Sequence, residues 1–312
     1  MTKAAVMHIG ATKKDMGDTY DYLGKVMRYM PSYVDLTNCI WKEETDTLAD
    51  AQKRKFDFLI NGLGLKPGMS VLEIGCGCGR LGKYLKSIGL HYVGITPSHE
   101  QVEICRAAGL EVYETLYQNF HPKEKFDAMI FMGPTEHFCT PDDNGHQAEI
   151  YRQFFQFAKE YTKEGARVYL QSMMFPENKI PDPEKVFNAT KPSDPLYYSY
   201  LLTWFYPGSW LGTLSQYDEG AKGLYKRGET IDGRKMYIKT MTMWGKEIYA
   251  LNPFRKNDWL KWFTIFECLA RSLVNKRLRM QLKSLSVSAN KKCFEYETMT
   301  HYFAIWEPVN SI

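Results

Sequence analysis

The stretch VLEIGCGCGR, residues 71–80, constrains this chain more than any other: an apolar run of strand length enters a loop where glycine recurs at Gly75, Gly77 and Gly79. Glycine reaches positive φ at no steric cost and carries no Cβ, so amides at a helix start can lie against a ligand. The residues that follow, RLGKYLKSIG, have apolar positions at helix spacing and Gly89 as a C-cap. Strand, loop and helix therefore read as one unit.

The same rhythm continues through strand HYVGIT, helix SHEQVEICRAAG, strands LEVYE and KFDAMIFMG, helix AEIYRQFFQFAKEY and strand ARVYLQSM, after a first helix opening at Ala51. Apolar strands alternating with helices predict an α/β fold, a doubly wound, mostly parallel sheet covered on both faces. Its ligand is expected beyond the carboxyl ends of the strands, where the strand order reverses and where the glycine loop sits. Beyond Pro176 the pattern breaks into the Pro-rich PENKIPDPEKVFNATKPSDP and then an aromatic-dense tail ending in the strand-like MTHYFAIWE. Four segments are expected: a lid or substrate segment over 1–50, a ligand-binding core over 51–175, an inserted aromatic-rich helical cap over 176–290, and a strand completing the core sheet over 291–312.

Composition sets the outer limits. A chain of 312 residues with 44% hydrophobic content supports a large core, and a formal charge of +4 is too small to point to nucleic acid. The opening MTKAAVMHIGATKKDMGD has no apolar stretch of signal-peptide length, and no run reaches 18 apolar residues, so the chain reads as cytoplasmic. Seven cysteines without a pair of CxxC motifs predict neither a disulfide framework nor a metal site.

Two nucleotide-binding patterns use such a loop. The dinucleotide fingerprint G-x-G-x-x-G would need a third glycine where this chain has Arg80. The spacing Gly75-Cys76-Gly77-Cys78-Gly79 fits S-adenosylmethionine (SAM) methyltransferases instead. With CIWKEETDTLADAQ before the first helix, GLKPGMSVLEIGCGCGRL, VGITPSHEQ and TEHF, residues 39–138 resemble the cyclopropane fatty acid synthase and mycolic acid methyltransferase family of class I, Rossmann-like SAM-dependent enzymes. A weaker echo lies in FYPGSWLGTLSQ and WFTIFECLARSL.

The resemblance implies SAM as cofactor, held by Glu73, Gly75, Gly77, Gly79, Thr96, Ser98 and Gln101, with Gln118, Asn119 and Phe120 at the adenine and Gly133 at the amino-acid end. Ser98 could equally be a plain helix cap. It also implies that Glu136 faces a developing cation beside the reacting methyl, that Cys39 belongs to a loop around a bicarbonate, and that His137 is either a base or a wall residue. Two of the four bicarbonate partners are altered: Gln171 stands for the family's His and Phe266 for its Tyr, which argues against bicarbonate. Gln171, Trp204, Phe205, Tyr206, Trp210, Trp244 and Phe266 are expected to wall an apolar substrate cavity, although a cap's own core would use the same aromatics. The run VNKRLRMQLKSL, with Lys276, Arg277, Arg279 and Lys283, is either a solvated face or a surface for anionic lipid or a diphosphate. The expected activity is methyl transfer to carbon of an unsaturated apolar lipid or isoprenoid; N-methylation of a small amine, cyclopropane formation and a non-catalytic SAM-binding role are the alternatives.

Overall fold

The structure, a computed structural model, describes residues 13–309, so the first twelve residues of the expected lid segment and the last three of the terminal strand lie outside it. Helix α1 (Lys13–Met27) precedes α2 (Leu48–Leu63), and β1 (Ser70–Ile74), α3 (Arg80–Ser87), β2 (His91–Thr96), α4 (His99–Ala107), β3 (Glu111–Glu114) and β4 (Phe126–Met132) follow. Next come α5 (Gln147–Tyr161), β5 (Thr162–Met174), α6 (Pro183–Asn188), α7 (Tyr197–Phe205), α8 (Leu214–Ala221) and β6 (Tyr225–Asp232). Helices α9 (Arg234–Tyr249), α10 (Lys256–Ser272), α11 (Lys276–Ser286) and α12 (Ala289–Glu295) lead to β7 (Thr300–Pro308).

The strands form one seven-stranded sheet in the order β3-β2-β1-β4-β5-β7-β6. The pairs β3-β2, β2-β1, β1-β4 and β4-β5 are parallel, and β7 runs antiparallel between β5 and β6. Parallel strands need both faces covered, which is why β1 and β4 are buried along nearly their whole length and mostly apolar rather than alternating, Glu73 being the buried exception in β1. The order reverses between β1 and β4, so their carboxyl ends open a crevice at the glycine loop.

Helix α2 begins where a reciprocal capping box allows it: Thr47 accepts from the Asp50 amide and the Asp50 carboxylate accepts from the Thr47 amide. It ends at Gly64, at φ 66°. Its Phe56, Leu59 and Leu63 are buried at helical spacing in the core under the sheet.

Beyond β5 the outcome differs from the expected boundaries. Strand β6 lies within the stretch assigned to the cap yet pairs with β7 as the far edge of the sheet, and residues 289–295 form α12 rather than part of a strand. The reason is chemical: YKRGETID is polar and mostly solvent-facing, as an edge strand is, and carries no apolar alternation to betray it. The remaining helices form the cap, with α7 packed on α11 and α12, α10 on α11, and α1 against α4 and α10.

Candidate active site

The three loop glycines all have positive φ, at 72°, 53° and 68°, but for different reasons. A Cβ on Gly75 would stand 2.7 Å from the Pro134 Cβ, and one on Gly79 would stand 2.5 Å from the Leu110 Cδ1, so both are close-packing positions. A Cβ on Gly77 would meet nothing within 4 Å, because that residue faces open cavity. The amides of Gly75 and Cys76 both donate to the Ile95 carbonyl, at 2.8 and 3.0 Å, which pins the loop to β2. Arg80, the residue that breaks the dinucleotide fingerprint, donates to the carbonyls of Met27 and Met30 and ties the end of α1 over the loop.

The cavity above the loop has a volume of about 910 Å³. Glu73, Gly75, Gly77, Thr96, Gln101 and Gly133 line it as expected, and so does Gln118. Thr96 donates to the Gln101 side chain at 2.7 Å, holding both in place. Glu73 is buried at the end of β1; one carboxylate oxygen accepts from the Tyr92 hydroxyl, and the other, Oε1, has no protein partner. Burial pushes its carboxyl up to about 8. An orphaned acceptor of this kind beside a glycine that leaves space suits a ligand carrying a positive charge and N–H donors. These residues fit SAM, a sulfonium with an amino-acid end.

Several expected cofactor residues lie elsewhere. Gly79 packs behind the loop, and Ser98 is the N-cap of α4, accepting from the Gln101 amide at 3.3 Å and donating to Asp21. The short turn at Tyr117–Asn119 presents Tyr117 and Gln118 to the cavity, leaves Asn119 exposed, and turns Phe120 outward against Tyr113, ring centroids 5.4 Å apart.

Where the sequence places the reacting end, the cavity is lined by the turn Pro134–His137 that follows β4, opened by Gly133 at φ 92°. Glu136 is buried, its Oε1 accepts from the Met173 amide at 2.8 Å, and burial pushes its carboxyl up to about 8. His137 is gripped on both ring nitrogens, by the Tyr20 hydroxyl at 2.5 Å on Nε2 and the Ser209 hydroxyl at 2.7 Å on Nδ1. Burial lowers its imidazole to about 4, so it is neutral at physiological pH. Tyr20, Tyr206 and Tyr237 line the same cavity as Glu136, and burial first, with repulsion from the carboxylate, holds all three phenols protonated. The cavity thus brings together a buried acid, three phenols and a neutral imidazole.

Tyr20 and Tyr237 were not foreseen. No pattern marks Tyr20, which α1 carries in from the opposite end of the chain. A signal for Tyr237 did exist: Tyr237, Met241, Trp244, Gly245 and Ile248 recur on one face of α9, and that face lines the cavity.

Cys39 is not a cavity residue. Its buried thiol donates to Gln52 Oε1 at 3.0 Å, and burial pushes it up to about 12, so it anchors the loop rather than acting in chemistry. That loop is further fixed by a buried Lys55, which donates to Asp35 at 3.2 Å and Thr37 at 2.5 Å. Gln171 lines the cavity, but its amide is committed: it accepts from the Tyr169 hydroxyl at 2.8 Å and donates to the Asn38 carbonyl at 3.1 Å.

Of the aromatics expected around the substrate, Phe205, Tyr206 and Trp244 line the cavity. Trp210 is a core residue, its indole N–H donating to Asn144 and its ring edge-on to Phe175 at 5.1 Å. Trp204 is turned away, with the Lys276 ammonium 5.5 Å from its ring. Phe266 is 60% exposed, because α10 presents Trp262 and Ile265 inward and Phe266 outward. Phe266 therefore says nothing about a missing hydroxyl; the cavity receives its late phenol from Tyr237 on α9.

Residues 13–256 match the family described as mycolic acid cyclopropane synthetase. The chain belongs to that family. Cyclopropane mycolic acid synthase 2 of Mycobacterium leprae is 28% identical over 68% of this chain and 72% of its own length. Cyclopropane-fatty-acyl-phospholipid synthase of Escherichia coli is 24% identical over 70% of this chain, and the match spans only 61% of that enzyme. Among solved structures, the cyclopropane synthase MmaA2 from Mycobacterium tuberculosis aligns with a TM-score of 0.71 at 17% identity, covering 95% of this chain and 98% of that one. The mycolic acid cyclopropane synthase CmaA1, complexed with SAH and CTAB, aligns with a TM-score of 0.71 at 18% identity, again over 95% and 98% of the two chains. As a member of the mycolic acid cyclopropane synthetase family the protein is a SAM-dependent methyltransferase, and SAM is its cofactor.

Proposed function

We propose that the protein transfers the methyl group of SAM to carbon of an unsaturated apolar molecule, a lipid or isoprenoid chain. The observation that supports this reading is one cavity lined both by the residues assigned to the cofactor and by a large apolar wall. It runs from Gly77 and Thr96, past Glu136, to a wall made by Trp244, Ile248, Trp262 and Ile265.

SAM, when bound, supplies an electrophilic methyl on a positively charged sulfur. The chain's residues supply alignment, a dry site and charge. Gly75 and Gly77 let the backbone approach the cofactor, and Thr96 with Gln101 holds its far end. An alkene acceptor develops positive charge on carbon, which the Glu136 carboxylate and the electron-rich ring faces of Tyr20, Tyr206 and Tyr237 stabilise. Ionised Glu136 also accepts the proton that such a cation sheds, while Tyr20 and Ser209 hold His137 so that the wall does not rearrange as charge moves.

Incubating the protein with methyl-deuterated SAM and a pool of unsaturated lipids, followed by mass spectrometry, tests the reading. Label on a carbon skeleton supports it, and the deuterium count then separates a methyl product, which keeps the whole label, from a methylene or cyclopropane product, which loses one deuterium. Label on an amine nitrogen, or none in any lipid, overturns it.

A further inference from the structure

Helix α10 wears its apolar side chains on the wrong side for a soluble cap. Trp259, Phe263, Phe266, Ala270 and Leu273 follow one another at steps of four, three, four and three residues, which places them on one face. That face is open to solvent: Trp259 is 55%, Phe263 73%, Phe266 60% and Leu273 77% exposed. Phe254 just before the helix and Val274 just after it, at 94% and 92%, extend the ridge at both ends. The helix rises roughly 25 Å. Its inward face holds Lys261, Thr264, Cys268 and Ser272, all buried. An exposed apolar stripe of this size is not scattered surface hydrophobicity.

The charges around the ridge say what covers it. Exposed Arg255 and Lys256 stand at one end, and exposed Arg271 and Lys276 at the other. The acids on the helix offset only Arg271 of these four, which leaves Arg255, Lys256 and Lys276 as the net cations. Asp258 is buried beside Lys261 at 3.4 Å, and Glu267 is paired with Arg271 at 2.6 Å. Trp, Phe and Leu along one face with cations at the ends is the chemistry of a helix lying in a bilayer interface. Among the described residues no helix is long and apolar enough to cross a membrane, so the contact is peripheral.

We infer that α10 is a membrane-docking helix that seats the protein on an anionic lipid surface with its Trp259–Leu273 ridge in the headgroup layer. The other side of the same helix, through Trp262, Ile265 and Leu269, and its neighbour α11, through Leu278, Leu282 and Leu285, wall the catalytic cavity. A chain leaving the bilayer beneath α10 therefore has only the thickness of one helix layer to cross. The docking surface stands on the exposed ridge and its cations alone; delivery of an acyl or prenyl chain to the cavity rests on the function proposed above.

Flotation of the full chain with vesicles of phosphatidylcholine, with and without phosphatidylglycerol, tests it without any turnover measurement. Binding is expected to the phosphatidylglycerol vesicles, weakening with added salt, with a blue shift of tryptophan emission. Phe263→Asp with Leu273→Asp should reduce the bound fraction at least tenfold at an unchanged melting temperature, since both side chains are outside the core. Reversing Lys256 and Lys276 to Glu should remove the preference for anionic lipid. Absence of binding to either vesicle, or unchanged binding in the Asp variant, overturns the inference. So does a dimer in sedimentation velocity that Phe263→Asp dissociates, which would assign the ridge to a second copy of this chain. Vesicle binding with no label transferred would sink the proposed reaction and leave the docking surface standing.

Discussion

At the scale of single residues, the loop glycines divide by what their missing Cβ would touch. Gly77 faces open cavity, so Gly77→Val puts a branched side chain in the cofactor's space. The expected result is SAM binding weakened by about tenfold or more, read by titration calorimetry, with the fold kept but the melting temperature lowered, since a β-branched residue is strained at φ 53°. Gly75 differs in its neighbours: a Cβ there meets Pro134 at 2.7 Å with φ at 72°, so even Gly75→Ala is expected to lower the melting temperature. In the proposed reaction Glu136 is the residue on which the chemistry turns. Because its carboxyl sits at about 8, kcat/KM for the wild type should rise with pH and level off near that value, as the ionised form fills. Glu136→Gln should cut turnover by about two powers of ten, abolish that rise and leave SAM affinity little changed. Equal pH profiles in the two forms would remove Glu136 from the mechanism.

At the scale of elements, the active site is an assembly of pieces that each bring one group. Helix α1 brings Tyr20, the turn after β4 brings Glu136 and His137, the end of α7 brings Tyr206 and α9 brings Tyr237. The loop before α2 brings no chemistry of its own: the Cys39 thiol is committed to Gln52, and the Gln171 side chain at the end of β5 is committed to Tyr169 and Asn38. With the Tyr20 hydroxyl committed to His137, Tyr206 and Tyr237 offer few donors to an anion, and ionised Glu136 would repel one. Turnover is accordingly expected to be the same in carbonate-depleted buffer and after bicarbonate is restored. Strong stimulation would mean that the Gln171 amide rotates out of its two hydrogen bonds to hold the anion. Tyr20→Phe, which removes one of the two clamps on His137, is expected to slow turnover several-fold through lost positioning, on the scale of about 1 kcal/mol for one hydrogen bond.

At the scale of the whole molecule, four buried groups set opposing limits on stability. Glu73 and Glu136 are both pushed up to about 8 from an ordinary 4.5, while His137 and His301 fall to about 4 and about 3 from 6.5. Below 4.5 the folded state lacks two protons that the unfolded histidines bind, so stability rises with pH. Between 4.5 and 6.5 two extra protons on the folded glutamates balance two on the unfolded histidines. Above 6.5 only the glutamate term remains, and stability falls until about 8. The melting temperature of the cofactor-free protein should therefore peak on a plateau between pH 4.5 and 6.5. SAM, bringing positive charge to both carboxylates, should flatten the alkaline limb. A melting temperature that climbs steadily to pH 8 without cofactor would contradict this balance.

What the sequence determined by itself is the nucleotide half of the protein. Its strands, loop and helices are contiguous segments whose period and glycines are set by near neighbours, and the family and the cofactor could be read from them. Where a signal was ambiguous between capping and binding, as at Ser98, local geometry took the cap. The cap and the acceptor side were decided only by tertiary structure. Strand β6 is polar because it is an edge, and its partner β7 lies some seventy residues downstream, so nothing in its own residues announces it. Tyr20, Glu136, Tyr206 and Tyr237 come to line one cavity only once the chain has closed on itself. An aromatic-rich helix such as α10 has the same composition whether its rings face a core, a cavity or a membrane. Which way Phe266 and Trp262 point is set by what α10 packs against, a property of the packed molecule that no periodicity within the helix can specify.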